Sequence, residues 1–272
     1  MKISVIVPTY NQARYLPACL DSVWFQDHPE VEIVVVNDGS TDRTGQILKD
    51  YQARLAGDQV SFASHYDAAG DELERVHHPR YPKQGRELRV ITHERNQGLA
   101  AALNTGFKAC TGQACTYVPS DDWCLPNMLS ELEAALVADK ADFAYADMLI
   151  VDDSFQVVRR FDLPDYSFER CFANWYLCGV CKLYRTGLHQ VHGYYDQNLL
   201  AHDHELFLRF AMAGARFTHV PKSLMAVRDH AKGREVHIHA PANWNRLIGE
   251  SKRLVDLARR HAALMAREDH GN

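Results

Sequence analysis

Short β-branched runs, each broken by a turn-forming polar segment and followed by a helical stripe, constrain this chain more than any other feature. Ile3–Val7 ends at Pro8-Thr9-Tyr10-Asn11, and Leu16, Leu20, Val23 and Trp24 then mark one face of a helix expected from about Ala13 to Trp24. Ile33–Val36 runs into Asn37-Asp38-Gly39-Ser40-Thr41-Asp42, where Asp42 can cap a helix reaching Tyr51. Leu88–Thr92 leads through Asn96-Gln97-Gly98 to Leu99, Leu103 and Phe107 at four-residue spacing. Cys115–Val118 precedes a helix that begins at Pro126 and buries Leu129, Leu132 and Leu136, and Phe143–Ala146 is a further strand. Strand and helix in alternation predict an α/β fold, with a mostly parallel central sheet flanked by helices.

The rhythm breaks over residues 57–87, a polar stretch rich in His, Asp, Gly and Pro that reads as an inserted loop or lid. Beyond Asp147 the pattern is less regular and rich in Tyr, Trp and Phe. The expected organisation is a ligand-binding half over 1–150, a second half over 151–235 and a helical extension over 236–272. In that extension Trp244, Leu247, Ile248, Leu254, Val255, Ala258 and Ala262 share one side, with Lys252, Arg253, Arg259 and Arg260 opposite or beside them. Packing against the core is the expectation; peripheral contact with an anionic membrane and a homodimer interface are the alternatives.

Thirty Lys and Arg against 35 Asp and Glu leave a net charge of −5, which supplies no overall field for nucleic acid or an anionic bilayer. No nucleic-acid partner is expected. The apolar runs are strand-sized, far short of the roughly 20 residues that span a bilayer. Met1-Lys2 leads directly into a strand, without the apolar region of a secretory signal, so a cytoplasmic protein is expected. Seven scattered cysteines are no disulfide framework, and Cys178-Gly179-Val180-Cys181 lacks the second Cys/His pair of a zinc site; reduced, structural thiols are expected.

In an open α/β sheet, ligands gather beyond the carboxyl ends of the strands. Three polar segments occupy such ends: Pro8 to Asn11, Asn37 to Ser40, and Ser120-Asp121-Asp122. Asp38 can accept the imide N–H of a pyrimidine while Thr9 and Tyr10 flank base and ribose; turn formation and helix capping are the alternative roles. Adjacent carboxylates at Asp121 and Asp122 repel each other unless a cation or sugar hydroxyls lie between them, and oxygen ligands of this kind suit Mg²⁺ or Mn²⁺. Neither a Walker loop nor Gly-x-Gly-x-x-Gly is present to cradle phosphates. His230 can add an imidazole to the metal or touch the diphosphate, or be one more surface histidine among 15. Trp175 and Tyr176 can stack on a sugar or simply be buried.

Taken in order, Ile3 to Asn11, Val35 to Asp42, Asn96-Gln97-Gly98 with Asn104-Thr105-Gly106, and Ser120-Asp121-Asp122-Trp123 closely resemble the family 2 glycosyltransferases of the GT-A fold, a Rossmann-like nucleotide-diphospho-sugar transferase. His202-Asp203-His204-Glu205-Leu206-Phe207-Leu208-Arg209 is similar to that family's Glu-Asp-x-(Asp/Glu)-Leu-x-x-Arg segment, and Arg228-Asp229-His230 to its Arg-x-His ending. The resemblance spans about residues 1–230 outside the insertion. It implies that Thr9, Tyr10 and Asp38 hold the nucleotide base with Arg95 nearby. Asp121 would face ribose or sugar, Asp122 would bind the metal, and Asp203 would be the general base. Pro119 stands where many members carry a first Asp, and His202 replaces the usual Glu.

The implied reaction is inverting transfer from a nucleotide-sugar, with UDP-sugar the expected donor, to a hydroxyl of a glycan or lipid-linked saccharide. Mn²⁺ or Mg²⁺ would stabilise the departing diphosphate, and one carboxylate would take the acceptor's proton. The alternatives are an inactive nucleotide- or glycan-binding module of the same fold, or a metal-dependent nucleotidyltransferase. The latter calls for a Gly-rich basic loop after the first strand, which Pro8-Thr9-Tyr10-Asn11 is not.

Overall fold

Two-residue periodicity in the first strands sorts the core into two layers. Ile3, Val5 and Val7 pack with Ile33 and Val35 on one face of the sheet, while Ile6, Val34 and Val36 pack on the other. All of these side chains are fully buried, as in a strand covered on both faces. The computed structural model describes residues 1–56, 61–67, 72–78, 84–229 and 241–269.

The elements of the first half are β1 (Ile3–Thr9), α1 (Leu16–Trp24), β2 (Val31–Asn37), α2 (Thr44–Ala56), β3 (Ser61–Asp67), β4 (Glu72–His78), β5 (Arg86–Thr92), α3 (Leu99–Ala109) and β6 (Ala114–Tyr117). There follow β7 (Trp123–Cys124), α4 (Met128–Ala138), β8 (Phe143–Val151), β9 (Val157–Phe161) and a π-helical segment, Glu169–Asn174. The chain closes with β10 (Lys182–Arg185), α5 (Gly187–His192), α6 (His202–Met212), β11 (Phe217–Arg228) and α7 (Pro241–Asp269).

Nine strands form one sheet among the described residues, in the order β5-β2-β1-β6-β10-β8-β11-β7, with β9 beside β8. The run β5-β2-β1-β6 is parallel, as the strand–helix alternation predicts. Beyond it the sheet becomes mixed: β10 is antiparallel to both β6 and β8, whereas β8 and β11 are parallel. The expected α/β architecture is present, and its longest parallel run lies in the half that carries the polar loops.

Three local departures have simple causes. β1 continues through Pro8 to Thr9 instead of stopping at Val7, and Pro8 still pairs in register with Val36. The strand predicted at Phe143–Ala146 extends to Val151, because β11 pairs along its whole length. Residues 57–87, expected to be irregular, contain the antiparallel pair β3 and β4, with Ser61 opposite His78 and Asp67 opposite Glu72. Their polar sequence hid the two-residue period that normally betrays a strand.

α3 approaches β1 closely because Gly106 has no side chain; a Cβ there would lie 2.4 Å from Ile6 Cγ2. α7 buries Val255 and Ala258 against the protein and leaves Lys252, Arg253 and Arg260 exposed. Its Arg259 Nε donates to Ala173 O at 2.8 Å. No described helix is long and apolar enough to cross a membrane.

Glu32, 1% exposed on β2, ties three segments together. Its carboxylate accepts from Ser4 Oγ at 2.5 Å, Thr111 N at 2.8 Å and Thr111 Oγ1 at 3.1 Å. Burial alone would raise the Glu32 carboxyl, but these bonds overcome it and hold it below the usual range. A lowered carboxyl stabilises the fold above its unfolded value and loses that contribution as pH falls through the folded one. Glu32→Ala is expected to cost about 1–3 kcal/mol in urea unfolding at neutral pH, because it orphans buried donors. The cost should shrink as pH falls below the folded value; an equal cost at all pH values contradicts the assignment.

Candidate active site

The polar segments after β1, β2, β5 and β6 converge at the carboxyl ends of the parallel strands. Together they wall a cleft of about 610 Å³, within the usual range for small-molecule sites. Thr9, Tyr10, Asp38, Gln97, Gly98, Ser120, Asp121 and His202 all contribute to its walls.

These loops are cross-tied. Asp38 N donates to Thr9 O at 2.9 Å. Asn11, at φ 54°, turns its Oδ1 to accept from Thr41 N at 2.8 Å and Asp42 N at 3.2 Å. Asp42 Oδ1 in turn accepts from Thr44 N at 2.9 Å, which gives the acid its predicted place at the start of α2.

Asp38 is 3% exposed and organises the third loop. Its Oδ1 accepts from Gln97 N at 2.9 Å and lies 2.7 Å from His93 Nδ1, while Oδ2 accepts from Gly98 N at 2.9 Å. His93 Nε2 is 3.0 Å from Thr105 Oγ1, so β2, the loop after β5, and α3 are joined through one imidazole. Gly39 lets the two loops meet: at φ +67° a Cβ there would stand 2.3 Å from the Arg95 carbonyl carbon. The Thr9 hydroxyl is buried in the cleft wall without a protein partner. Tyr10 is 39% exposed at the rim.

Asp121 and Asp122 sit on the turn after β6, closed by Asp122 N donating to Pro119 O at 3.0 Å. Asp121 faces the cleft. Asp122 is buried and accepts the Arg228 N–H on Oδ1 at 2.9 Å. Burial first, and then the Asp121 charge, push the Asp122 carboxyl well above its usual range, against the pull of Arg228. The Arg228 guanidinium is itself enclosed by aromatic rings, 4.6 Å from Tyr15, 5.0 Å from Trp123 and 5.1 Å from Phe155. From there it reaches Asp121 O at 3.3 Å and Asp153 Oδ1 at 3.2 Å.

Asp203 lies in the first turn of α6, on the same stripe as Phe207 and Phe210, and that stripe faces the core. An acid there is drawn inward rather than left to solvent. Its Oδ2 accepts from the Tyr117 hydroxyl at 2.5 Å and stands 3.6 Å from Lys182 Nζ. Burial alone would raise the Asp203 carboxyl; the Lys182 ammonium, then His202 and the Tyr117 phenol, bring it below the usual range. The next residue, His204, is buried with both ring nitrogens unbonded, and burial lowers it to about 4, so it brings no competing charge.

Neither Asp122 nor Asp203 is among the residues walling the cleft; each stands behind a neighbour that is. Asp121 and His202, adjacent in sequence to Asp122 and Asp203, both line it. Tyr117 is the link beneath: Asp203 and Asp122 both act on its hydroxyl. Arg95 is exposed on its loop and is absent from the residues walling the cleft. His230 lies outside the described residues. Trp175 is 40% exposed, whereas Tyr176 turns inward, donates to Gly179 O at 3.3 Å and stacks on His204 at 5.2 Å. Cys178 and Cys181 are free and buried, as expected of structural thiols.

Sequence reasoning missed His93, Tyr117 and Lys182. The first follows directly on β5 and had no motif of its own. The other two lie in strands so completely buried that no alternation singles out an inward-facing polar side chain.

The sequence profile described as Glycosyl transferase family 2 matches residues 4–66 and 63–193. The chain belongs to this family. Glycosyltransferase GlyA of Streptococcus pneumoniae is 34% identical over 173 residues, covering 64% of this chain but 20% of GlyA. The chain thus spans about a fifth of that relative. Staphylococcus aureus TarS 1–349, crystallised with UDP, superposes with a TM-score of 0.66 at 24% identity, over 95% of this chain and 65% of that one. The mannosyltransferase PcManGT of Pyrobaculum calidifontis, crystallised with GDP-Man and Mn²⁺, gives 0.64 at 19% identity, over 93% and 64%. These two likenesses establish the GT-A fold.

The Gly39 contact has a measurable consequence. Gly39→Ala is expected to destabilise the protein by about 1–3 kcal/mol in urea unfolding, the scale of a non-glycine residue forced into a left-handed conformation. Gly45→Ala, within α2 and 3.9 Å from its nearest neighbour, should be neutral or stabilising. Equal effects would remove the loop contact as the cause.

Proposed function

We propose that this chain transfers a sugar from a nucleoside diphosphate donor to a hydroxyl of a glycan or lipid-linked saccharide, with inversion at the anomeric carbon. The carrying observation is that one cleft takes its walls from Thr9, Tyr10 and Asp38 together with Asp121 and His202, next to the acids Asp122 and Asp203. Neighbours of the same fold were crystallised with UDP and with GDP-Man, which supports a nucleotide-sugar in this cleft.

In this reading Asp38 recognises the base. Its Oδ2 accepts one backbone N–H, and an oxygen with two lone pairs can take a second donor. The imide N–H of uracil is such a donor, whereas cytosine presents an acceptor at the same ring position. Thr9 Oγ1, buried and unpartnered, is a hydrogen-bonding group for base or ribose. Tyr10 covers the rim.

The Asp121-Asp122 turn fits a divalent cation by its donor chemistry: carboxylate oxygens only, two in sequence, with Asp122 committing just Oδ1 to the protein. Among the described residues no three His, Cys, Asp or Glu side chains gather into a metal site, so an ion here would need its remaining ligands from diphosphate oxygens and water. Asp122 would hold it, with Asp121 toward the ribose or sugar and His230 as a further ligand. A bound Mn²⁺ or Mg²⁺ would supply countercharge to the departing diphosphate.

Asp203 acts as the proton acceptor. A carboxylate held below its ordinary range is ionised at neutral pH and ready to receive the proton as the acceptor oxygen attacks. Lys182 and Tyr117 keep it from drifting.

Two outcomes follow. UDP should raise the thermal midpoint, more so with Mn²⁺, and CDP should do so less. No response to any nucleoside diphosphate would sink the donor assignment. Asp203→Asn should retain UDP affinity but lower transfer by about 10²-fold or more, read as nucleoside diphosphate release in the presence of acceptor. Unchanged turnover would remove Asp203 from the chemistry.

A further inference from the structure

Lys182 is fully buried on β10, a costly place for an ammonium. Its Nζ lies 3.9 Å from the centroid of the Tyr117 ring, 5.1 Å from that of Phe207, and 3.4 Å from Val180 O. Among the described residues, Asp203 is the one carboxylate within ion-pair reach, at 3.6 Å from Oδ2. The same Tyr117 that presents its ring face to the ammonium presents its hydroxyl to that same oxygen, at 2.5 Å. Ammonium, phenol and carboxylate therefore form a closed set. All of its charge-assisted contacts fall on one side of the carboxylate.

The other side is held less firmly. Asp203 Oδ1 is enclosed and completes no hydrogen bond of normal geometry, while the equally buried Tyr195 hydroxyl stands close enough to help pull the Asp203 carboxyl down. Tyr195 packs edge-on against the Tyr117 ring at 6.5 Å and against His202 at 5.5 Å, which brings its hydroxyl donor to the same corner. Buried polar atoms left unpaired in a native fold call for an explanation. A substrate hydroxyl supplies one, since it can donate to a carboxylate oxygen and accept from a phenol at once.

We propose that Lys182 is a positioning residue for Asp203: its buried ammonium, with the Tyr117 hydroxyl, fixes Oδ2 and so dedicates Oδ1 to the proton of the acceptor hydroxyl. The proposal rests on the assignment of Asp203 as proton acceptor made above. In the step it serves, the acceptor oxygen forms its bond to the anomeric carbon and its proton passes to Oδ1. The bond from that carbon to the diphosphate oxygen breaks, and its electron pair leaves with the nucleoside diphosphate. Lys182 remains an ammonium throughout.

The groups facing Asp203 come from every element around it. They are Lys182 and Tyr184 on β10, Tyr117 on β6, Tyr195 ahead of α6, Tyr176 and Cys178 ahead of β10, and His202 beside it. Of these, Lys182 opposes the effect of burial most strongly.

The test is a ¹³C-carboxyl titration of aspartate-labelled protein without substrate, with the Asp203 resonance assigned by its loss in Asp203→Asn. In Lys182→Met, which keeps the volume and removes the charge, the Asp203 midpoint should rise by about one to three units, the effect of losing an opposite charge at this range. UDP affinity should stay as in the parent. An unmoved midpoint overturns the proposal. Should Lys182→Met fail to fold, the ¹⁵Nζ signal of Lys182 in the parent protein decides: an ammonium at pH 7 supports the proposal and a neutral amine overturns it. Failure of the underlying reading looks different. Asp203→Asn would then retain transfer even though the titration still reported the ion pair.

Discussion

Taking a carboxylate out of water is tolerated only where donors replace its hydration. This demand shapes both edges of the parallel strands. Glu32 is answered by Ser4 and Thr111, Asp38 by the backbone of Gln97 and Gly98, Asp122 by the backbone of Arg228, and Asp203 by Tyr117 and Lys182. In each case the donors come from a segment distant in sequence, so satisfying the acid also fixes one element against another. The tie of Glu32 lies at the amino ends of the parallel strands, whereas those of Asp38 and Asp122 lie beside the cleft at their carboxyl ends.

The legible part of the fold was the part governed by local rules. β-branched runs bounded by Pro, Gly, Asn and Asp located β1, β2, β5 and β6, and four-residue spacing of Leu99, Leu103 and Phe107 located α3. Strand direction was illegible, because a strand covered on both faces carries the same pattern whichever way it runs. Lys182-Leu183-Tyr184 is buried throughout, so nothing in the text of the sequence marked β10 as antiparallel or its lysine as inward-facing.

The site divided in the same way. Thr9 ends β1, and Tyr10, Asp38, Asp121 and Asp122 sit in turns just after strands, where topology alone directs attention. Asp203 was legible only by its resemblance to a family segment; an acid in the first turn of a helix is otherwise simply suited to the helix dipole. What separates the two roles is its phase relative to Phe207 and Phe210, a feature present in the sequence but meaningful only once the buried face of α6 is known. His93 belongs to the same class of hidden residue: its importance lies in what its two ring nitrogens touch, Asp38 and Thr105.

One further tie reaches the cleft wall from α7. Glu250 on α7 accepts the N–H groups of Leu200 and Ala201 on Oε2, at 2.7 and 2.9 Å, while Arg246 steadies its other oxygen. Those two amides belong to Leu200, in the cleft wall, and Ala201, which caps α6 two residues ahead of Asp203. The last helix therefore sets where α6 begins, and a change at Glu250 would be felt across the protein, at Leu200 and His202 in the cleft wall.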